Sequence, residues 1–240
     1  MTPGALGHAS SVFARRDHLA GEAGRVEVGF TAPGLDLGDR AEESVRRAGL
    51  AALARETGVE TVLMRQVHGA VVADVATERG GEPATADALV TLLPRVALAT
   101  RAADCVPLLL ADPDVGVLAA VHAGRGGLAH EVVPRAVARM RAHGARRVTA
   151  WLGPHICGRC YEVPPALQDE VAAVVPEARA TTSWGTPSLD LGAGVTAQLG
   201  AAGCTDVRGW PECTREVPRW PSHRRDGARA GRFAGVVWRA

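Results

Sequence analysis

The chain contains no lysine and no asparagine, and its one isoleucine is Ile156, so all 27 positive side chains are arginines. The missing lysine excludes a Schiff-base lysine, a P-loop or kinase-type phosphate lysine and a lysine general base. The lack itself reads as coding bias towards GC-rich codons, which favour arginine, alanine and glycine. Neither charge sign dominates, since 27 basic residues face 26 acidic ones for a formal net charge of +1. That balance argues against nucleic acid or an acidic membrane as the main partner. Long apolar runs are also missing. The longest, 106–111 and 115–121, are strand-length and far short of a membrane span. Residues 1–24 lack a secretory pattern, being broken by His8, Arg15, Arg16, Asp17 and His18, and a cytoplasmic location is expected. Five thinly spread cysteines, an odd number, fit a reducing compartment better than a disulfide framework.

What is present describes an ordinary soluble domain of 240 residues, 47% hydrophobic and 22% charged. A chain of this length buries roughly 70–75% of its unfolded surface, and so needs no disulfide or structural metal merely to fold. Residues 25–30 (RVEVGF) alternate as a strand, and 41–57 carry apolar positions at helical spacing that end at Gly58. Strand signals then crowd together at 61–67, 71–75, 88–92, 96–100, 106–111 and 115–121. Residues 128–143 read as one helix, with Pro134 near its first turn and Gly144 past its end. A strand at 148–152, helices at 164–175 and 189–202, a loose stretch at 203–232 and a final strand at 233–238 complete the chain. Residues 1–24 are expected to be irregular. No repeat or linker divides the sequence, so a single mixed α/β domain over residues 1–240 is predicted.

Three short strings place soft or borderline ligands at strand ends: RQVHG at 65–69, ADCVP at 103–107 and VHAGR at 121–125. His68, Cys105 and His122 can converge on one rim of a sheet although they lie 37 and 17 residues apart. Two imidazoles and a thiolate make a good Zn²⁺ set, and three protein ligands leave the fourth tetrahedral position open, as in catalytic sites. Singly these residues say little, because a lone histidine after a strand is usually a hydrogen-bonded loop residue and a lone buried cysteine a small hydrophobe.

The ordered set RQVHG, ADC, VHAG, GPHICGRCYEV at 153–163, SHRRDG at 222–227 and Gly231-Arg232 resembles the YfiH-type family. That family is also described as laccase-domain polyphenol oxidase, purine nucleoside phosphorylase and peptidoglycan editing factor. The resemblance spans residues 25–238. It implies an α/β (α+β) fold, a layered sandwich of helices around mixed sheets, with His68, Cys105 and His122 as zinc ligands. It also implies phosphate-dependent cleavage of adenosine, inosine, guanosine and methylthioadenosine, with adenosine deamination as a second reaction. A homodimer is compatible with it, and copper is the alternative to zinc. The sequence departs from the family where HAGWRG is replaced by HAGRGG at 122–127, and where the glycine-rich stretch before the first helix is shortened to residues 32–38. These departures touch the pocket wall more than the metal.

For phosphate, two routes are open without lysine. The glycine turn at 124–127 leads into a helix and offers backbone N–H groups and a helix dipole, or else is simply a tight turn that needs glycine. Arg224, Arg225, Arg229 and Arg232 cluster near the end of the chain, where guanidinium forks hold phosphate or ribose oxygens, although such clusters are more often solvated surface. Arg224 and Arg232 match family positions. Gln66 would share a face with His68 if the strand continues, making it a candidate substrate contact. Asp104 neighbours Cys105 as a candidate acid, base or orienter of a ligand.

A rival metal or redox motif, His155-x-Cys157-x-x-Cys160, is not favoured, since no second CxxC follows and Cys204 and Cys213 stand apart. Cys160 and Tyr161 are assigned a structural or pocket-lining part. Other classes stay open: Cys105 with His122 as the nucleophilic pair of a cysteine hydrolase or amidase acting on a peptidoglycan precursor, or a non-catalytic regulator on the same fold. Blue-copper electron transfer is least favoured, because its weak axial methionine would have to be Met64.

Overall fold

A computed structural model describes residues 12–77, 82–210 and 212–240. From the amino end run β1 (Phe13–Gly21), β2 (Gly24–Thr31), α1 (Glu43–Thr57), β3 (Glu60–Val62), β4 (Val72–Asp74), β5 (Ala88–Thr91), β6 (Val96–Ala102), β7 (Val106–Asp112) and β8 (Val117–Ala123). Then follow α2 (Arg125–Ala129), α3 (Val132–Ala142), β9 (Thr149–Leu152), α4 (Pro165–Val174), β10 (Arg179–Thr181), β11 (Pro187–Leu189), α5 (Leu191–Ala201), β12 (Asp206–Gly209), α6 (His223–Asp226) and β13 (Phe233–Arg239).

Two mixed sheets stack face to face. One is five-stranded in the order β1-β2-β13-β6-β3, the other six-stranded in the order β12-β9-β7-β8-β5-β4, and β10 pairs with β11 as a separate ribbon. The continuous apolar run of β7 follows from burial on both faces. Leu108 and Leu110 face the helical layer of α3 and α5, while Leu109 and Ala111 point into the core between the sheets beside Phe30, Trp151 and Phe233. On the far side, Leu53 of α1 packs on Ala97, Val236 and Trp238. The result is the expected layered sandwich of helices around mixed sheets in one domain.

The local differences from the sequence reading have physical causes. The stretch 1–24, expected to be irregular, contains β1, which pairs along β2 as an antiparallel edge; residues 1–11 lie outside the described residues. Alternation in β1 is mild because it buries only one face. The single helix expected at 128–143 is two. Pro134 has no N–H and its ring clashes with a helical carbonyl four residues earlier, so the chain breaks at His130–Glu131, with Glu131 at φ 60°. The loose stretch 203–232 holds β12, which pairs in parallel with β9, and the one-turn α6. Gly58 ends α1 in the left-handed conformation at φ 74°, as its position predicts.

Candidate metal centre

The β7–β8 pairing does most of the assembly. Val106 lies opposite Ala123 and Pro107 opposite His122, so Cys105, just before β7, is brought to the imidazole at the end of β8. His68 arrives from a turn between β3 and β4 at φ 60°, a left-handed backbone uncommon for a non-glycine residue. One candidate ligand atom from each of His68, Cys105 and His122 lies within 4.8 Å of the others. The two imidazole rings meet edge to face with centroids 4.8 Å apart. His122 is buried, Cys105 half-buried and His68 exposed, so the group opens on the His68 side.

Asp87, which sequence reasoning missed, explains how that turn is held. Its carboxylate is fully buried and accepts from the backbone N–H of His68 at 2.9 Å and of Gly69 at 2.7 Å, and from Val67 at 3.2 Å. The same carboxylate meets Nδ1 of His122 at 2.9 Å, which leaves Nε2 for the site. Burial alone would raise the Asp87 carboxyl, but the hydrogen bonds from His122 and Gly69 outweigh it and hold the group below the usual carboxylate value. The only signal in the sequence is an acid directly before the apolar strand β5.

Charge in the cluster is arranged as an ion pair. Burial pushes the Cys105 thiol up, yet the His122 charge and the hydrogen bonds from His122 and His68 bring it down to about 6. Burial likewise disfavours the His122 cation, but the Cys105 thiolate and the Asp87 hydrogen bond raise it to about 9. A divalent cation fits this group on the evidence of its floor. A Cβ built on Gly124 would stand 2.9 Å from Cys105 Sγ, 2.9 Å from His68 Cδ2 and 3.7 Å from His122 Cε1, so only glycine leaves the space that the three donors enclose. The neighbouring Gly126 serves packing: a Cβ there would press 2.6 Å from the His68 carbonyl oxygen.

The cluster sits in the wall of a cavity of about 860 Å³. Arg224, Arg229 and Arg232 of the C-terminal cluster line it, joined by Arg40, Arg101 and Arg125 from other segments. The Arg224 guanidinium lies 5.0 Å over the Tyr161 ring and donates to the Glu162 carbonyl. Arg232 donates to the carbonyls of Ala230 and Gly231, bracing its own loop. Arg225 is instead a tail staple, donating to the carbonyls of Thr214 and Trp220 and pairing with Asp226. Gln66 also lines the cavity, but its amide is committed at both ends: it donates to the Arg101 carbonyl at 2.8 Å and accepts from the Arg101 N–H at 2.9 Å. It positions β6 against the His68 turn. Asp104, at φ 88°, accepts from Thr214 Oγ1 and from the Arg224 N–H, both at 2.6 Å, and so clips the C-terminal segment to the rim. Met64 is packed in the core between the sheets.

The H-x-C-x-x-C string behaves differently from its sequence pattern. His155 Nδ1 meets the Gly153 carbonyl, and the residues gathered around Cys157 and Cys160 are Cys213 and Glu216.

The fold and this site define a laccase-domain protein of the YfiH type. The chain belongs to the family described as multi-copper polyphenol oxidoreductase laccase, which matches residues 27–240. It is 52% identical over 191 residues to a Streptomyces coelicolor protein named purine nucleoside phosphorylase SCO2081, covering 77% of this chain and 78% of that one. It is 44% identical over 243 residues to purine nucleoside phosphorylase Rv2149c of Mycobacterium tuberculosis, covering 92% and 97%. Among solved structures, NMB0706 of Neisseria meningitidis superposes with a TM-score of 0.84 at 29% identity over 95% of this chain and 99% of that one. YlmD of Geobacillus stearothermophilus does so with 0.82 at 27% identity over 95% and 98%. No helix among the described residues is long and apolar enough to cross a membrane.

Proposed function

We propose that the chain is a zinc-dependent purine nucleoside phosphorylase for adenosine, inosine, guanosine and methylthioadenosine, with adenosine deamination as a second reaction at the same site. The observation that carries this reading is the His68–Cys105–His122 donor set in the wall of an arginine-lined cavity large enough for a nucleoside and phosphate. The names of the Streptomyces and Mycobacterium relatives support it. Zinc is favoured over copper because the potential weak axial ligand, Met64, is in the core. His68, Cys105 and His122 would hold the zinc, which would supply Lewis acidity to a substrate oxygen or purine nitrogen.

The chain's own groups do the rest. Phosphorolysis forms a bond from phosphate oxygen to C1′ of the ribose and breaks the C1′–N9 bond, so negative charge passes from phosphate to the departing purine. Arg224 and Arg232 hold the phosphate, and Arg125 adds positive charge beside Tyr161. Asp87 keeps the Nδ1 proton of His122 in place and fixes the ring, while Asp104 keeps the Arg224 segment against the rim. An adenosine assay with and without phosphate, resolving adenine from inosine, tests the reading. Adenine should form only with phosphate, inosine should form without it, and His68→Asn should abolish both. Nucleoside cleavage that survives this substitution, or purified protein without stoichiometric zinc, overturns it.

A second reading rests on the Cys105–His122 ion pair, which has the form of an activated thiolate for a hydrolase or amidase acting on a peptidoglycan precursor. Its mark is amide hydrolysis by metal-free protein that Cys105→Ser abolishes.

A further inference from the structure

A second group of soft ligands lies behind the cavity wall. One donor atom each from Cys157, Cys160, Cys213 and Glu216 lies within 4.8 Å of the other three. The three cysteines are buried or half-buried, and Glu216 closes the outer side. These residues come from two segments far apart in sequence, which is why the CxxC string alone was uninformative. The segments are brought together where Cys213 bridges to His155 and the Thr214 N–H donates to the His155 carbonyl at 3.0 Å.

We propose that Cys157, Cys160, Cys213 and Glu216 form a second zinc site, structural in kind and separate from the His68–Cys105–His122 centre. Three thiolates and one carboxylate are a tetrahedral zinc set without an open position, which distinguishes a structural site from a catalytic one. At a zinc–sulfur bond of about 2.3 Å, tetrahedral geometry places sulfurs about 3.8 Å apart, so small side-chain rotations close the set around an ion. The CxxC turn is already folded for the purpose. The N–H groups of Cys160 and Tyr161 both donate to the Cys157 carbonyl, at 2.9 and 3.1 Å, and the Cys157 N–H donates to Cys213 Sγ at 3.4 Å. A backbone N–H aimed at sulfur stabilises a thiolate.

Charge is offset in part. Three thiolates and a carboxylate around Zn²⁺ carry a net charge of about −2. One guanidinium stands beside them, with Arg159 3.8 Å from Glu216. Ile156 and Tyr161 pack on the cysteines from within and keep water from that side. Binding releases the thiol protons to solvent and involves no change of oxidation state.

The position of this site gives it a purpose. Residue 161, next to Cys160, lines the cavity under Arg224, and residue 214, next to Cys213, holds Asp104 beside Cys105. A zinc ion there fastens both segments of the rim with one staple.

Elemental analysis of full-length protein purified under reducing conditions with Zn²⁺ tests the inference. The unaltered chain should hold about two zinc ions, one at each four-coordinate position. His68→Asn, chosen because asparagine tolerates the left-handed backbone, should retain one. In that background, Cys157→Ser should remove the remaining ion and Glu216→Gln should weaken it by about tenfold or more. Cobalt in the His68→Asn chain should give the strong thiolate charge-transfer absorption of a multi-cysteine site, absent after Cys157→Ser. Should Cys157→Ser fail to fold, alkylation of Cys157 in the unaltered chain gives the answer: Zn²⁺ should protect it and a chelator expose it. Loss of all zinc in His68→Asn, an ion that survives Cys157→Ser, a Cys157–Cys160 or Cys157–Cys213 disulfide in place of metal, or alkylation indifferent to Zn²⁺ overturns the proposal.

Discussion

Asp87 and His122 are joined twice: the Asp87 carboxylate meets Nδ1 of the imidazole at 2.9 Å, and the Asp87 carbonyl accepts the His122 N–H at 2.8 Å. Because the same carboxylate ties down the His68 turn, one side chain fixes the direction of two of the three candidate ligands. Asp87→Asn offers one acceptor where two are used and turns an N–H₂ towards backbone donors. We expect it to lower zinc affinity by about 10- to 100-fold while leaving a folded chain. A chelator-competition titration measures this, and unchanged affinity would show that the orienting contact is dispensable.

Gly124 has φ −86° and ψ 179°, which alanine adopts without strain, so any effect of Gly124→Ala comes from its methyl group meeting Cys105 and His68. The substitution should cost at least about tenfold in zinc affinity, or about 1.4 kcal/mol, and more in nucleoside turnover. Thermal unfolding should stay cooperative. Metal content equal to that of the unaltered chain would mean that the donors do not close on the space above Gly124.

In metal-free protein the Cys105 thiol should titrate at about 6, and His122→Ala should move it upward by removing the charge that holds it down. The rate of alkylation at Cys105 against pH, read peptide by peptide, measures this directly. An unshifted midpoint in His122→Ala would separate the two residues.

The same pair sets a pH window for stability. Cys105 is depressed in the fold, so its contribution is present above the unfolded thiol value of about 8.5 and is lost as pH falls through about 6. His122 is raised, so its contribution is present below about 6.5 and is lost as pH rises through about 9. The unfolding temperature of metal-free protein should therefore fall on acidification through about 6 and again on alkalinisation through about 9. Cys105→Ser should flatten both limbs.

Arg224 faces the cavity from the Tyr161 ring, held by one carbonyl contact that leaves other donors of its fork for a ligand. Arg224→Ala should raise the KM for phosphate by about tenfold, the scale of one charge-assisted hydrogen bond of about 1.5–3 kcal/mol partly replaced by water. Zinc content should not change. Arg232→Ala should act in the same direction, and phosphate dependence unaltered in both variants would remove these arginines from the site.

What was legible in the sequence was whatever is encoded locally. The apolar runs of β7 and β8 announce strands buried on both faces, Gly58 announces the end of α1, and the three ligand strings stand at strand ends. Partners chosen through space were not legible. Asp87 looks like any acid that precedes a strand, and nothing near it in sequence points to His122, 35 residues on. Cys213 and Glu216 meet the CxxC turn across a separation of 56 residues. Strand alternation puts Gln66 beside His68 and the guanidinium cluster includes Arg225, but the hydrogen bonds of both side chains are used by the backbone. The break between α2 and α3 is encoded at Pro134, whose ring clashes with the carbonyl four positions earlier although the apolar pattern runs on through it.

The antiparallel register that sets Pro107 opposite His122 gives the site an order of assembly. Cys105 and His122 are 17 residues apart at the open end of the β7–β8 hairpin, whose turn is short, so forming the hairpin brings them together at little cost in chain entropy. His68 and Asp87 come from elsewhere and arrive only when β5 docks on β8. Half of the centre is thus a property of one hairpin. Because successive side chains in a strand alternate faces, a slip of one residue would turn His122 away from Cys105, so an ion bound by both would favour the correct strand alignment.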